Sequence, residues 1–191
     1  SSAASDVYKR QDLRHAQNLF ILMFLLRGLP FVDLAYLRKS DLRDNVITYR
    51  RRKTGRSLSV TLAPEAMVLL RRYMDRNESS PYLFPILSSG GGTEEAYREY
   101  QLALRSFNQK LMLLGKLMGM EGKLSSYTAR HTWATTAYHC EIHPGIISEA
   151  MGHSSITVTE TYLKPFHNKK IDEANKKIVD FVRRSTGWAI V

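Results

Sequence analysis

The sequence predicts a mainly helical α+β fold with one small antiparallel β-sheet. A predominantly apolar run at 12–27 is long enough to form a buried helix. β-Branched and aromatic residues on both sides of a Lys-Thr-Gly tripeptide indicate a β-hairpin over 45–62. In the helix predicted over 168–184, one face collects apolar residues, namely Ile171, Ala174, Ile178, Phe181 and Val182.

The other elements follow from local signals. Gly28 and Pro30 end the first helix, because glycine tolerates a terminal turn and proline lacks a backbone N–H. A short helical piece is expected over 31–42, and Gly55 lies in the turn of the hairpin. Pro64 begins the next helix, since proline is tolerated at the first helical position. That helix runs to about 77, followed by an extended stretch at 81–86, a loop at 88–92, a long helix over about 93–118, and shorter helices near 127–140, 144–151 and 155–164.

We expect one domain. The chain has 191 residues, of which 43% are hydrophobic and 24% charged, as in globular proteins with a proper core. This domain is predicted to span 12–184, between a linker or expression remnant at 1–11 and a tail at 185–191. The longest apolar run, 19–26, is too short to cross a bilayer. A single cysteine, Cys140, excludes an intramolecular disulfide and favours a reducing compartment, so we expect a cytoplasmic protein.

The charge of the chain suggests a polyanionic partner. Against 18 Asp and Glu the chain has 28 Lys and Arg, a formal net charge of +10. Such an excess favours binding to nucleic acid through Coulomb attraction and counterion release. A solvated basic surface explains the charge equally well, so charge alone leaves both interpretations open.

The predicted hairpin carries five cations within seven positions. Alternation along a strand places Arg51 and Lys53 on one face, and Arg50 and Arg52 on the other. Such a cluster can enter a DNA groove, or it can protect an exposed edge strand from aggregation. The residues predicted to contact DNA are Arg50, Arg51, Arg52, Arg56, Lys39 and Lys123.

The segment 139–143 offers three metal-binding residue types, His139, Cys140 and His143. No fourth ligand follows at a recognisable spacing, and Pro144 indicates that His143 lies at the start of a helix. We therefore expect no metal site and no cofactor.

Three further positions stand out near the C-terminus. Arg130 lies in an otherwise apolar helix, so it must either pair with a carboxylate or face a functional cleft. Gly152 and His153 indicate a helix end, and Tyr162 follows nine residues after that histidine, two turns into the next predicted helix. An ideal helix of nine residues does not by itself bring the side chains of His153 and Tyr162 together.

In order along the chain, these features resemble the catalytic domain of the tyrosine recombinase, or phage-integrase-like, family. The resemblance covers about 12–184 and is strongest over 129–163, "ARHTWATTAYHCEIHPGIISEAMGHSSITVTETYL". The family pattern there is Arg-His-(Thr/Ser)-(Phe/Trp)-Ala-Thr, then Gly-His-Ser-Ser, then a tyrosine nine residues after that histidine. The resemblance implies the DNA breaking–rejoining fold of that family.

The resemblance also implies a chemistry and a role for each residue. Tyr162 would attack a DNA phosphodiester to form a 3′-phosphotyrosine, and a 5′-hydroxyl would later reverse the attack without metal or ATP. Arg130 would hold the phosphate, His153 would donate a hydrogen bond to it, Lys53 would protonate the leaving oxygen, and His131 would support the site. A cationic site suits this reaction, because free tyrosine has a pKa of roughly 10 and the transition state is strongly anionic.

Two positions depart from the family pattern. Pro30 occupies the place of the arginine in Gly-Leu-Arg-x-x-Glu, and Arg27 precedes it in "RGLPFVD", which resembles the Arg-Gly-(Leu/Met)-x-Phe-Val-Asp form in recombinases of the Bacteroides kind. We predict that Arg27 is the second phosphate clamp; the alternative is that it only caps its helix. Tyr127 stands where the family often has histidine, and a phenol is a poor general base at neutral pH. The acceptor of the Tyr162 proton is therefore left open.

The resemblance further implies double-stranded recombination sites as partners, a homotetramer on DNA and a monomer in solution. It implies a bacterial cytoplasmic protein that associates with the nucleoid through DNA. The small N-terminal DNA-binding domain of the family is expected to be absent, and the helix at 168–184 would pack either on a neighbouring subunit or on its own domain. Alternatives are a catalytically silent DNA-binding module, a type IB topoisomerase and, less favoured, a metal-dependent nuclease.

Overall fold

The structure, a computed structural model, describes residues 2–163 and 168–186. A single three-stranded antiparallel sheet of order β1-β2-β3 lies among the helices of this described part. The strands are β1 (Leu42–Arg43), β2 (Val46–Arg50) and β3 (Ser57–Thr61). The helices are α1 (Ser2–Leu25), α2 (Phe31–Tyr36), α3 (Pro64–Tyr73), α4 (Glu94–Leu117), α5 (Ser126–His139), α6 (Pro144–Met151), α7 (Ile156–Glu160) and α8 (Asn168–Thr186), with a 3-10 turn at Lys39–Asp41. The predicted mainly helical α+β class is confirmed.

Helix α1 is the centre of the core and packs against α3, α4 and α5. Its residues Leu22 and Met23 are completely buried, as the apolar run predicts. The helix begins at Ser2, ten residues earlier than expected, so that Asp12 lies within it and forms an ion pair with Lys110 of α4 at 3.3 Å. Of the predicted flanking segments, Ser1 and the tail residues 187–191 lie outside the described residues.

The sheet buries one face against the core. Ile47 of β2 is opposite Val60 of β3, and Tyr49 is opposite Leu58. The inward positions Ile47 and Tyr49 are buried, and Arg51 continues the same alternation beyond the end of β2. The predicted helical piece over 31–42 is shorter than expected, since its last residues form the 3-10 turn and β1.

The C-terminal helices build one corner of the fold around Ala134, Ile147 and Met151. Helix α6 ends at Met151 and is capped by Gly152. The left-handed φ of Gly152, +63°, lets the backbone N–H of His153 donate to the carbonyl of Ser148 at 3.0 Å. Helix α7 then ends at Glu160, earlier than the predicted boundary at 164. The predicted apolar face of α8 is largely exposed, and none of the described helices is long and apolar enough to span a membrane.

Gly28 is where the chain passes closest to α5. A Cβ added there would lie 2.8 Å from the Cα of Arg130, and Gly28 also has a φ of +68°. The turn between α1 and α2 can therefore lie against α5 only if residue 28 has no side chain.

We expect Gly28→Ala to lower the free energy of unfolding by about 1–3 kcal/mol more than Gly55→Ala. Gly55 is a matched control, because its φ of +69° imposes the same backbone strain while a Cβ there meets nothing within 4 Å. Urea denaturation of both variants measures the difference. Equal denaturation midpoints would contradict the close packing of Gly28 on α5.

Candidate active site

Tyr162 lies in a cluster of aromatic side chains rather than along a helix. Because α7 ends at Glu160, Tyr162 occupies the following turn, where its backbone N–H donates to Thr159 at 3.0 Å. Its ring stacks on the imidazole of His153, with ring centres 5.5 Å apart and planes 13° from parallel. The imidazole of His131 meets the Tyr162 ring edge-on at 5.6 Å. Because α7 ends early, the side chains of Tyr162 and His153 come into contact, which an ideal helix over these nine residues would not allow.

Tyr127 contacts Tyr162 directly. The Tyr127 hydroxyl, at the first turn of α5, donates a hydrogen bond to the Tyr162 hydroxyl at 2.6 Å. Partial burial, then this hydrogen bond and the neighbouring phenol, raise the pKa of Tyr127 to about 12. Tyr127 therefore stays protonated at neutral pH and acts toward Tyr162 as a donor, not as a base.

His153 is buried, with 4% of its surface exposed. Its Nδ1 lies 2.8 Å from the hydroxyl of Thr159, which is fully buried in α7. Its Nε2 is also buried and makes no hydrogen bond to any described residue. Burial, then the positive charges of Arg130, Arg51 and Lys53, lower the pKa of His153 to about 4, so the ring is neutral at pH 7.

Arg130 is a buried cation held by backbone oxygens. Its Nη1 donates to the carbonyl of Gly28 at 2.9 Å and its Nη2 to the carbonyl of Met151 at 2.8 Å. Among the described residues no carboxylate forms an ion pair with it, so the alternative of an ordinary Arg–carboxylate pair does not apply. Burial and the nearby charge of Arg51 lower the pKa of Arg130.

A second buried arginine, Arg51, lies beside it. Its Nε contacts the Oδ2 of Asp33 at 2.8 Å, and its Nη1 donates to the carbonyl of Met151 at 2.6 Å and to that of Gly152 at 3.3 Å. Arg51 was predicted to contact DNA from an exposed hairpin; its side chain is instead buried, with 5% of its surface exposed, and the DNA contact itself stays a prediction.

Arg27 lies elsewhere. Arg27 lies in the turn after α1, where its φ is +60°. Its Nη1 donates to the carbonyl of Ser59 on β3 at 3.3 Å. It lines a surface groove with Trp133 and Ile146. No hydrogen bond or ring contact joins Arg27 to the Tyr162 cluster within the described part of the chain.

The other predicted DNA-contact residues divide into two groups. Arg56 points back into the domain, where it donates to the carbonyl of His153 and contacts both carboxylate oxygens of Glu149 at 3.2 Å. Lys39 donates to the carbonyl of Asn77. The second group, Arg50, Arg52 and Lys123, is exposed, as is the neighbouring Lys53. The guanidinium of Arg52 lies 3.7 Å from the centre of the Tyr36 ring.

The segment 139–143 serves the start of α6. His143 caps this helix, since its Nδ1 accepts from the backbone N–H of Gly145 at 3.0 Å. His139 and Cys140 are exposed. Residues 2–163 and 168–186 contain no group of three or more His, Cys, Asp or Glu arranged to hold a metal ion.

Three contributors to the cluster were not found from the sequence. Arg51 had a usable signal, because it continues the inward alternation of Ile47 and Tyr49. Asp33 and Thr159 had none, since an acidic residue in a short helix and a threonine among threonines are ordinary sequence features.

The chain is similar to known proteins over most of its length. The chain belongs to the phage integrase family, whose family model matches residues 3–169. The tyrosine recombinase XerA of Pyrococcus furiosus is 26% identical over 149 residues, or 76% of this chain and 49% of the relative. The tyrosine recombinase XerC of Leptospira interrogans is 26% identical over 186 residues, or 96% and 56%. The chain thus spans about half the length of these relatives.

Solved structures share the fold. The Tn1549 transposon integrase, in complex with transposon right end DNA, superposes with a TM-score of 0.62 at 15% identity, over 91% of this chain and 64% of that one. The XerA recombinase gives a TM-score of 0.57 at 20% identity, over 86% and 63%. The predicted fold, that of tyrosine recombinase catalytic domains, is confirmed.

The depressed pKa of His153 predicts a pH-dependent stability. Between pH 6.5 and about 4 the unfolded chain binds a proton at this ring that the folded protein does not, so stability falls as the pH falls through this window. From pH 7 to pH 4.5 we expect the wild type to lose about 2–3 kcal/mol more than His153→Gln. Urea unfolding of both proteins at the two pH values measures this, with carboxylate titration common to both. Parallel losses would contradict a buried neutral His153.

Proposed function

We propose that this chain is the catalytic part of a site-specific DNA recombinase that cuts and rejoins strands through a 3′-phosphotyrosine on Tyr162. The observation that carries the proposal is the stacking of Tyr162 on His153 and its hydrogen bond with Tyr127, next to the buried guanidinium of Arg130. The names of the relatives support the same reaction class.

In the proposed cleavage step, the Tyr162 oxygen gives its proton to water and bonds to phosphorus while the bond to the 5′ oxygen breaks. The hydrogen bond from Tyr127 stabilises the developing phenolate, which makes Tyr162 a better nucleophile. Arg130 binds the non-bridging oxygens, whose charge grows in the transition state. A 5′-hydroxyl then attacks the phosphotyrosine, so bond energy is conserved and no cofactor takes part.

Lys53 is proposed to protonate the leaving 5′ oxygen. It lies at the exposed tip of the hairpin, between the anchored residues Arg51 and Arg56. The backbone hydrogen bond from Arg51 to Arg56 at 2.8 Å closes this tip. The lysine can therefore reach a bound duplex from a fixed base, while the exposed Arg50, Arg52 and Lys123 contact its phosphates.

His153 is proposed to donate a hydrogen bond to the phosphate from Nε2. If the Thr159 hydroxyl donates to Nδ1, the neutral ring carries its proton on Nε2, the buried atom that makes no other hydrogen bond. A phosphate oxygen would satisfy this donor, which otherwise costs about 1–3 kcal/mol. His131, edge-on to Tyr162, keeps the nucleophile in place.

The proposed partners are two double-stranded recombination sites, held by four copies of the chain in a synaptic complex. Solved relatives are described as bound to such DNA, including a lambda integrase dimer on a core site and XerH on its difH substrate. The Arg-Gly-Leu-Pro-Phe-Val-Asp motif resembles that of recombinases of the Bacteroides kind, and we propose a bacterial cytoplasmic protein on that resemblance.

The test is covalent trapping. Sheared genomic DNA of the source organism is incubated with the full chain in EDTA, and DNA that stays attached in SDS is sequenced to define the site. A duplex of that site, nicked beside the scissile bond, then releases a short fragment and traps the adduct. We expect an adduct from the wild type and none from Tyr162→Phe, because only the phenol oxygen can bond to phosphorus.

The outcomes separate the alternatives. DNA binding without an adduct would contradict the proposal and favour a silent DNA-binding module. Cleavage that requires added metal and leaves no adduct would favour a metal-dependent nuclease. Relaxation of supercoiled plasmid without exchange between two sites would favour a type IB topoisomerase.

The hydroxyl of Tyr127 is expected to assist Tyr162. Tyr127→Phe removes one neutral hydrogen bond and should slow adduct formation about 2–10-fold. Tyr127→His introduces an imidazole with an ordinary pKa near 6.5, so the rate should acquire an inflection near that pH. Single-turnover rates on the nicked duplex from pH 5.5 to 9 measure both effects. A Phe variant as fast as the wild type would contradict the assisting role.

A further inference from the structure

Both the backbone and the side chain of Arg51 are held by hydrogen bonds. Its backbone N–H donates to the carbonyl of Arg56, and its own carbonyl accepts from Gly55, both at 2.8 Å. Asp33, whose side chain is fully buried, receives Nε with one oxygen and the backbone N–H of Arg52 with the other at 2.9 Å. The orientation of the guanidinium is therefore fixed from both sides.

The two buried guanidiniums converge on one atom. Nη1 of Arg51 and Nη2 of Arg130 both donate to the carbonyl oxygen of Met151, at 2.6 and 2.8 Å. Two cations this close repel each other, and burial together with the charge of Arg51 lowers the pKa of Arg130. Nothing in the packing of an apolar core requires such a pair.

The charges of this pair do not cancel. Among the described residues, the only carboxylate in an ion pair with either guanidinium is that of Asp33. Two positive charges and one negative charge leave one positive charge in a buried place, which is unfavourable without a counter-anion. A phosphodiester carries a single negative charge and accepts hydrogen bonds from planar guanidiniums in pairs.

The remaining hydrogen-bonding capacity of Arg51 fits such an anion. Nε and Nη1 are used by Asp33 and by backbone carbonyls, whereas Nη2 makes no hydrogen bond to a described residue. Arg130, which is proposed above to bind the phosphate, lies on the other side of the Met151 carbonyl that both arginines share. Arg27, by contrast, bonds to Ser59 on the sheet.

We propose that Arg51 is a catalytic residue, the second arginine that binds the scissile phosphate, and that Asp33 is its positioning residue. This proposal rests on the proposed function and replaces Arg27 in that role. As Tyr162 bonds to phosphorus and the 5′ oxygen departs with a proton, Arg51 and Arg130 bind the two non-bridging oxygens. Neither arginine gains or loses a proton in the step.

The experiment compares the scissile phosphodiester with a methylphosphonate at the same position in the nicked duplex. The methylphosphonate lacks the negative charge that the arginines neutralise. We expect Arg51→Ala to form the adduct about 10²–10³-fold more slowly than the wild type on the phosphodiester. On the methylphosphonate, we expect this difference in rate between variant and wild type to be at least about tenfold smaller. Arg27→Ala, the matched control, should stay within about threefold on both substrates. A loss confined to the phosphodiester would not result from misfolding.

Arg51→Lys is the second variant, because removal of Arg51 leaves Asp33 buried without a cation. Lysine keeps the charge but cannot contact Asp33 and the phosphate together. We expect an unchanged melting temperature and a rate at least about tenfold lower on the phosphodiester. Wild-type rates in Arg51→Lys, or selective methylphosphonate rescue of Arg27→Ala instead, would overturn the assignment and leave the proposed function intact. A wild type that forms no adduct would overturn both.

Discussion

The carbonyl oxygen of Met151 is the point on which the site depends. It ends α6 and accepts hydrogen bonds from Arg51 on the hairpin and Arg130 on α5. Because Gly152 turns the chain there with a positive φ, His153 follows immediately and faces Tyr162. Residue 152 favours glycine because its φ is +63°, and a Cβ there would lie 2.9 Å from Cδ1 of Leu58, whose side chain would have to move. One backbone oxygen thus joins three separate elements at the proposed active site.

Burial and the neighbouring groups set the protonation state of His153 and Tyr127. Burial, reinforced by the positive charges of Arg130, Arg51 and Lys53, keeps His153 neutral rather than cationic. Tyr127 keeps its proton and directs it to Tyr162. Neither ring gains or loses a proton near pH 7, so the proposed site is a preorganised set of donors around Tyr162, the proposed nucleophile. In the proposed complex, the substrate phosphate neutralises the remaining positive charge of Arg51 and Arg130.

The fold class and the family could be predicted from the sequence, whereas the side-chain contacts of the candidate site could not, because they depend on tertiary packing. Helical periodicity and hairpin composition are local, so the fold class followed, and the motif from Arg130 to Tyr162 identified the family. The contact of Tyr162 with His153 depends on α7 ending at Glu160, which tertiary packing decides. Arg51 was misplaced because its charge outweighed its inward position after Ile47 and Tyr49. Partners such as Asp33 come from distant segments, and no local pattern reveals them.

The most direct test of the central claim is a crystal structure of the Tyr162→Phe protein on its nicked recombination site. We expect guanidinium nitrogens of both Arg51 and Arg130 to lie within about 3 Å of non-bridging oxygens of the scissile phosphate, with Nε2 of His153 beside them and Arg27 still on Ser59. A phosphate bound by Arg130 and Arg27, with Arg51 unchanged against Asp33, would contradict the claim.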